Sequence, residues 1–166
     1  MRAVYLISGP LGVGKTSVAE ALSKSLEHTA LVVGDNLYNL QEESELIWEE
    51  KLRRSWARIL SETKRNLDKS LDVIVDFVVE DELPWFREQL SGYGLRFWYV
   101  VLMADKSTLI ERLKKRNELK YKDRSMVLLD QLSKEPSNEN HLLDTNNREI
   151  SEIVQEITNS PRFMVN

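Results

Sequence analysis

Short unbroken apolar runs alternate along this chain with longer stretches in which apolar positions recur every three or four residues. Ala3-Val4-Tyr5-Leu6-Ile7 reads as a buried strand, ended by Ser8-Gly9-Pro10. Val18, Leu22 and Leu26 then repeat at helical spacing. Ala30-Leu31-Val32-Val33 is a second strand, stopped by Gly34-Asp35-Asn36. A helical region from about Leu37 to Lys69, with a break near its start, carries Leu46, Ile47, Trp48, Leu52, Trp56, Ile59, Leu60 and Leu67. Val73 to Phe77 is a third strand. Asp81 is expected to cap a short helix with Pro84 in its first turn. Gly92 and Gly94 break the chain before a fourth strand, Leu95 to Leu102, rich in aromatic and β-branched residues. Asp105 is expected to cap a helix carrying Leu109, Ile110 and Leu113. The strongly charged stretch from Lys114 to Lys134 follows. His141-Leu142-Leu143 is a short fifth strand, and Ile150, Ile153, Val154 and Ile157 mark an amphipathic last helix.

Strands separated by helices predict an α/β fold: a three-layer α/β/α sandwich around a five-stranded parallel sheet. Ligands of such sheets sit at the carboxyl ends of the strands. Residues 9–16, Asp35, Asp76 and Asp144 all follow strands, so they are expected along one rim.

Composition narrows the function classes. The chain has 166 residues, enough for one domain with a sizeable core. There is no cysteine, which removes disulfides and cysteine-built zinc sites. His28 and His141 are too few for a histidine-rich metal site. No apolar stretch approaches the ~20 residues of a membrane span, and nothing resembles a signal peptide. A cytoplasmic protein without membrane partners, monomeric or homodimeric, is therefore expected. The net charge of −4 argues against a nucleic-acid partner.

One segment carries specific chemistry. Gly9-Pro10-Leu11-Gly12-Val13-Gly14-Lys15-Thr16 fits G-x-x-x-x-G-K-[ST], between a strand and a helix as the motif requires. A triphosphate needs several donors converging on a small volume. A curled backbone supplies them, glycines permit the curl, and the following helix, which continues with Ser17, points its positive end at the anion. Lys15 adds a mobile charge for the β- and γ-phosphates, and the Thr16 hydroxyl is suited to Mg²⁺. The chain lacks the Asn-Lys-x-Asp motif of guanine recognition and is short for an oligomeric motor. A kinase acting on a small acceptor leads. A nucleotide-sensing module is the runner-up, and a nucleic-acid 5′-hydroxyl kinase comes third.

The chain resembles the small P-loop kinases, the group that includes gluconate, shikimate and adenylate kinases and chloramphenicol phosphotransferase. The loop carries most of the resemblance. The rest lies in Asp35 after the second strand, Asp76 ending the third, Asp105-x-x-x-Leu109-x-x-Arg112-Leu113-x-x-Arg116 after the fourth, and Leu143-Asp144-Thr145-Asn146-Asn147 before the last helix. The resemblance implies ATP and Mg²⁺ as cofactors, an acceptor side over residues 37–69 and a short lid over residues 116–136. It implies that Asp35 orients or deprotonates an acceptor hydroxyl, that Asp76 holds Mg²⁺ or contacts the acceptor, and that Arg116 reaches the transferring phosphoryl group. Lys120, Lys122 and Arg124 are lesser candidates for that last task.

Arg112 shares a helix face with Arg116 and either joins the nucleotide or packs on the loop. Asn146 and Asn147 would lie beside the adenine, although Asn147 equally suits the cap of the last helix, and Thr145 could bond locally. Arg53, with Arg54, suits an anionic acceptor, but Glu49 and Glu50 stand at ion-pair spacing from them. Trp48, Trp56, Trp85 and Phe86 are expected to pack. Val33 stands where shikimate kinases have a carboxylate, and residues 77–81 replace their glycine-rich turn. The acidic segment from Asp76 to Glu82 favours a neutral or cationic acceptor instead.

Overall fold

A computed structural model describes residues 1–37 and 47–166. The part of the expected acceptor-side helix that includes Leu46 lies outside the described residues. Strand β1 (Ala3–Ser8) leads through the glycine-rich loop into α1 (Lys15–Ser25). Strand β2 (Thr29–Val33) ends in a 3₁₀ turn, Gly34–Leu37, so Leu37 closes a turn rather than opening a helix. Helix α2 (Trp48–Asp68), strand β3 (Asp72–Asp76), helix α3 (Leu83–Gln89) and strand β4 (Arg96–Met103) follow. Helices α4 (Lys106–Lys115) and α5 (Lys122–Lys134) precede β5 (Leu142–Asp144), and α6 (Ile150–Asn159) leads to a two-residue strand, β6 (Met164–Val165).

The sheet order is β2-β3-β1-β4-β5, all parallel, with β6 added antiparallel to β4. The five expected parallel strands are all present, and among the described residues β6 makes a sixth. Phe97 pairs with Val165 and Trp98 with Met164. Two residues are too few to show an alternating pattern, which is why this strand escapes a sequence reading.

Each central strand feeds two cores by simple alternation. Ala3, Tyr5 and Ile7 face one side with Val18 and Leu22 of α1 and Ile153, Val154 and Ile157 of α6. Val4 and Leu6 face the other with Trp56, Ile59 and Leu67 of α2 and Phe86 of α3. Continuous apolar strands are thus explained by helices covering both faces. Of the four aromatics expected to pack, Trp56 and Phe86 are buried and meet edge to face at 5.4 Å. Trp48 and Trp85 are exposed.

The N-cap of α3 is Glu82, not Asp81. The Glu82 carboxylate accepts the backbone N–H groups of Glu80 and Asp81, so Asp81 is held by the cap instead of forming it. Asp105 does occupy the N-cap of α4, without a side-chain bond. The cap of α6 is Glu149, because Asn147 adopts a left-handed backbone (φ 54°) two residues earlier. No helix among the described residues is long and apolar enough to cross a membrane.

Candidate functional site: a phosphate loop flanked by two carboxylates

The loop after β1 has the backbone that glycine allows and other residues resist. Gly9 passes so close to β4 that a Cβ would stand 2.6 Å from the Leu102 carbonyl oxygen, at φ 149°. Gly14 is left-handed (φ 101°) at the N-cap of α1, which turns the chain into the helix and leaves its first amides pointing into the loop. Lys15 folds back over this cradle. Its Nζ donates to the carbonyl oxygens of Gly9 (3.0 Å) and Pro10 (3.2 Å).

The carboxylates expected on the rim converge here. The Thr16 hydroxyl donates to Asp76 Oδ2 at 2.5 Å, and Asp76 is only 4% exposed. Burial pushes the Asp76 carboxyl above the usual range; Thr16 and Lys15 pull it down, and Asp35 and Glu20 push it up. Burial lowers the Lys15 ammonium, opposed by Asp76 and Asp35 and assisted by Arg116. Asp35, Asp76 and Arg116 therefore all lie within electrostatic reach of one lysine, although they come from three separate strand ends and helices.

Local structure explains how Asp35 arrives. Gly34 lies against Phe77, and a Cβ there would be 2.3 Å from the Phe77 ring. The absence of a side chain lets the 3₁₀ turn drop onto the end of β3 and hold the exposed Asp35 within electrostatic reach of Asp76. A second tie fixes the β3 end: the Ser8 hydroxyl accepts the Val79 N–H at 2.8 Å in a buried bond.

Behind the loop, Arg112 Nη1 donates to the Val13 carbonyl at 2.8 Å, so this arginine packs on the loop. Arg116, the C-cap of α4, is exposed and reaches Glu118 at 3.3 Å. Gly14, Ser17, Arg112, Arg116, Thr145 and Ile153 help line a hollow of about 370 Å³ beside the loop. Asn146 is drawn into structure: its Oδ1 accepts the Asp105 N–H, and its own N–H goes to Asp144 Oδ1. Asp144 is thus used within its own turn, and Asn147 is exposed. Thr145 is buried and bonds across the sheet to the Met103 carbonyl rather than locally. A larger hollow of about 490 Å³, lined by Arg87, Leu95 and Phe97 among others, opens at the amino end of β4, the opposite rim.

The expected lid is partly a core element. Ser125, Leu128 and Leu132 of α5 are buried, and Ser125 Oγ donates to the Leu11 carbonyl of the phosphate loop at 2.6 Å. Sequence reading missed Ser125, since one serine within a charged stretch carries no periodic signal. Lys122 opens this helix, and Lys120 sits 5.1 Å from the Tyr121 ring centre. Arg124 pairs with Glu80 at 3.0 Å. On the acceptor side, Arg53 is exposed and bound to Glu50 at 3.0 and 2.5 Å, with Arg54 on the same carboxylate. Arg53 first, then Arg54, holds the Glu50 carboxyl down at about 2.

Known proteins share this fold. By fold, the chain is similar to the tunicamycin resistance protein of Deinococcus radiodurans (TM-score 0.69, 18% identity, 95% of this chain and 94% of that one). It is also similar to a gluconokinase from Sinorhizobium meliloti 1021 (0.63, 19%, 95% and 91%) and to a sugar kinase from Janibacter sp. HTCC2649 (0.67, 13%, 94% and 92%). No curated protein matches the chain by sequence. Residues 6–150 match the AAA domain family, a span from within β1 to the first residue of α6. With its phosphate loop, its mostly parallel sheet and its kinase-like neighbours, the chain belongs to the AAA domain family of P-loop NTPases.

Proposed function

We propose that this protein is an ATP-dependent phosphotransferase that moves the γ-phosphoryl group of Mg·ATP to a hydroxyl of a small molecule. The observation that supports it best is the convergence of Asp35, Asp76 and Arg116 on Lys15. A mere phosphate-binding turn needs no exposed carboxylate beside its lysine. A transferase needs one to handle the acceptor proton.

The loop amides and Lys15 hold the β- and γ-phosphates. Asp35 accepts the proton of the acceptor hydroxyl as its oxygen bonds to the γ-phosphorus; the bond from that phosphorus to the β–γ bridging oxygen breaks, and ADP leaves. Arg116 faces the charge that collects on the phosphoryl oxygens. Thr16 and Asp76 offer two hard oxygen ligands side by side, which fits Mg²⁺, an ion that takes few protein ligands and keeps several waters. Bound there, Mg²⁺ would neutralise phosphate charge. The resemblance to a gluconokinase and a sugar kinase supports a small acceptor. A similar fold in an RNA repair complex, covering 44% of that chain, makes a nucleic-acid 5′-hydroxyl the second acceptor to test. The net charge of −4 weighs against it.

The test is calorimetric titration with Mg·ATP followed by transfer from labelled ATP to a metabolite panel and to 5′-hydroxyl oligonucleotides. Lys15→Ala should abolish ATP binding. Asp35→Asn should leave ATP affinity intact and lower transfer by about two orders of magnitude or more. Tight ATP binding with no transfer to any acceptor would overturn the proposal in favour of a nucleotide sensor.

A further inference from the structure

A cluster outside the phosphate loop has no role in the chemistry above. Arg124, in the first turn of α5, lies next to Ser125, whose hydroxyl is fixed to the Leu11 carbonyl of the loop. Its guanidinium stacks on Trp48, with 4.8 Å from Cζ to the ring centre, and donates to Glu80 at 3.0 Å. Glu80 lies four residues beyond Asp76, on the segment that Ser8 ties to β1. Trp48 opens α2, the helix packed on the turn that carries Asp35. Three separate elements thus bring a carboxylate, a guanidinium and an indole together on the acceptor side of the loop.

Stability does not account for the cluster. Arg124 Nε is buried with no hydrogen-bond partner among the described residues. Such an orphaned donor is unfavourable and calls for a reason. A partly buried ion pair adds little stability. Trp48 is 48% exposed, although a tryptophan at a helix start could have been sheltered.

Resting on the kinase reading, we infer that Trp48, Arg124 and Glu80 recognise the acceptor, and that the acceptor is an uncharged cyclic polyol or its amino derivative. A paired arginine and carboxylate set a donor beside an acceptor. Two neighbouring hydroxyls on a ring satisfy both, because each hydroxyl donates and accepts. The indole supplies a flat apolar surface for the ring's C–H face, as binding sites for small molecules commonly do. Charge selects further. Asp35 and Glu80 follow neighbouring strands β2 and β3, Lys15 serves the phosphates, and Arg124 is already bound by Glu80. Among the described residues, an anionic acceptor here would meet the Glu80 carboxylate with the Arg124 guanidinium already paired to it.

The experiment uses the whole chain. Transfer from labelled ATP is measured for matched probes: D-glucose against D-glucuronate, myo-inositol against quinate, and uridine against uridine 5′-monophosphate. Tryptophan fluorescence is followed for each probe in the presence of a non-hydrolysable ATP analogue. We expect phosphorylation within the neutral set, and quenching by a neutral probe that Trp48→Phe abolishes while the other three tryptophans remain. Trp48→Ala and Glu80→Gln should each raise the acceptor KM at least tenfold more than the KM for ATP. Arg124→Lys, which keeps the charge but loses the flat fork, should raise it severalfold. Preferential transfer to the acidic probes, or unchanged acceptor KM values in all three variants, would overturn this inference while leaving the kinase reading intact. Quenching through Trp48 without transfer to any probe would show a neutral ring bound at Trp48 but not as an acceptor, and would overturn the kinase reading and the acceptor role together. No transfer to any probe, neutral or acidic, together with no quenching would overturn both.

Discussion

Ser125→Ala isolates a single hydroxyl whose removal should reach the phosphate loop. Ser125 is fully buried, and its Oγ lies 2.6 Å from the Leu11 carbonyl. Leaving a buried acceptor without its partner costs about 1–3 kcal/mol. Leu11 is only partly buried, so water can satisfy part of the loss and the lower half of that range applies. Alanine returns about 0.5 kcal/mol through its better helix propensity. The net loss is then about 1 kcal/mol, a fall of roughly 2–4 °C in Tm for a chain of this size. The bond ends on the loop itself, so part of the loss should also weaken Mg·ATP binding. One kcal/mol expressed fully there would be about fivefold in Kd. Thermal melting and calorimetry measure the two effects on the same preparation. Ser133→Ala is the control: that serine bonds the Asp130 carbonyl on the exposed face of the same helix and should change neither quantity measurably. If Ser125→Ala matched that control in both Tm and ATP affinity, the idea that α5 braces the loop would be wrong.

Two further predictions probe the carboxylate rim. Burial raises the Asp76 carboxyl, so the folded protein keeps a proton that the unfolded chain has released. The contribution of this group to stability is fully present below the ordinary carboxylate range and is lost as pH rises through the raised value. Asp76→Asn should flatten that slope in thermal melts against pH and remove any Mg²⁺-dependent rise in Tm; an unchanged slope would contradict it. Gly34→Ala would drive a methyl to 2.3 Å from the Phe77 ring, an overpacking that should cost about 1–3 kcal/mol in urea melts. It should also slow transfer by moving Asp35, and a variant as stable as the parent would show that the turn has room to shift.

The fold was legible because its signals are periodic. Ala3 to Ser8 alternates between two cores, and every residue in it is buried, as a continuous apolar run at the centre of a parallel sheet should be. The phosphate loop was legible for a different reason: its glycines answer to backbone geometry that no other residue adopts cheaply. Asp35 and Asp76 could be placed on one rim by topology alone. Their electrostatic meeting at Lys15 could not, since it depends on Gly34 settling against Phe77. Two caps lie elsewhere than their residue types suggest, for a local reason. Asp81 and Asn147 are good capping types, but Glu82 and Glu149 hold those positions once the chain has turned. The inner side of α5 was not legible because charge dominates residues 114–134. That side, Ser125, Leu128 and Leu132, shows only when α5 is seen against the sheet. Trp48 shows the reverse, an aromatic at core spacing that is half exposed and covered by Arg124 instead of the core.

The two-residue strand at Met164–Val165 has a consequence for how copies of this protein can associate. It shares one flank of β4 with β5, and the two run in opposite directions. A polypeptide approaching that side would meet three residues of one polarity and two of the other. It could not hold a single register along both, and short, mismatched borders of this kind discourage edge pairing. Polymerisation by stacking sheet upon sheet end to end needs two receptive borders on every copy. Here one is fragmented, so any strand-to-strand contact through the β2 side would stop at a pair.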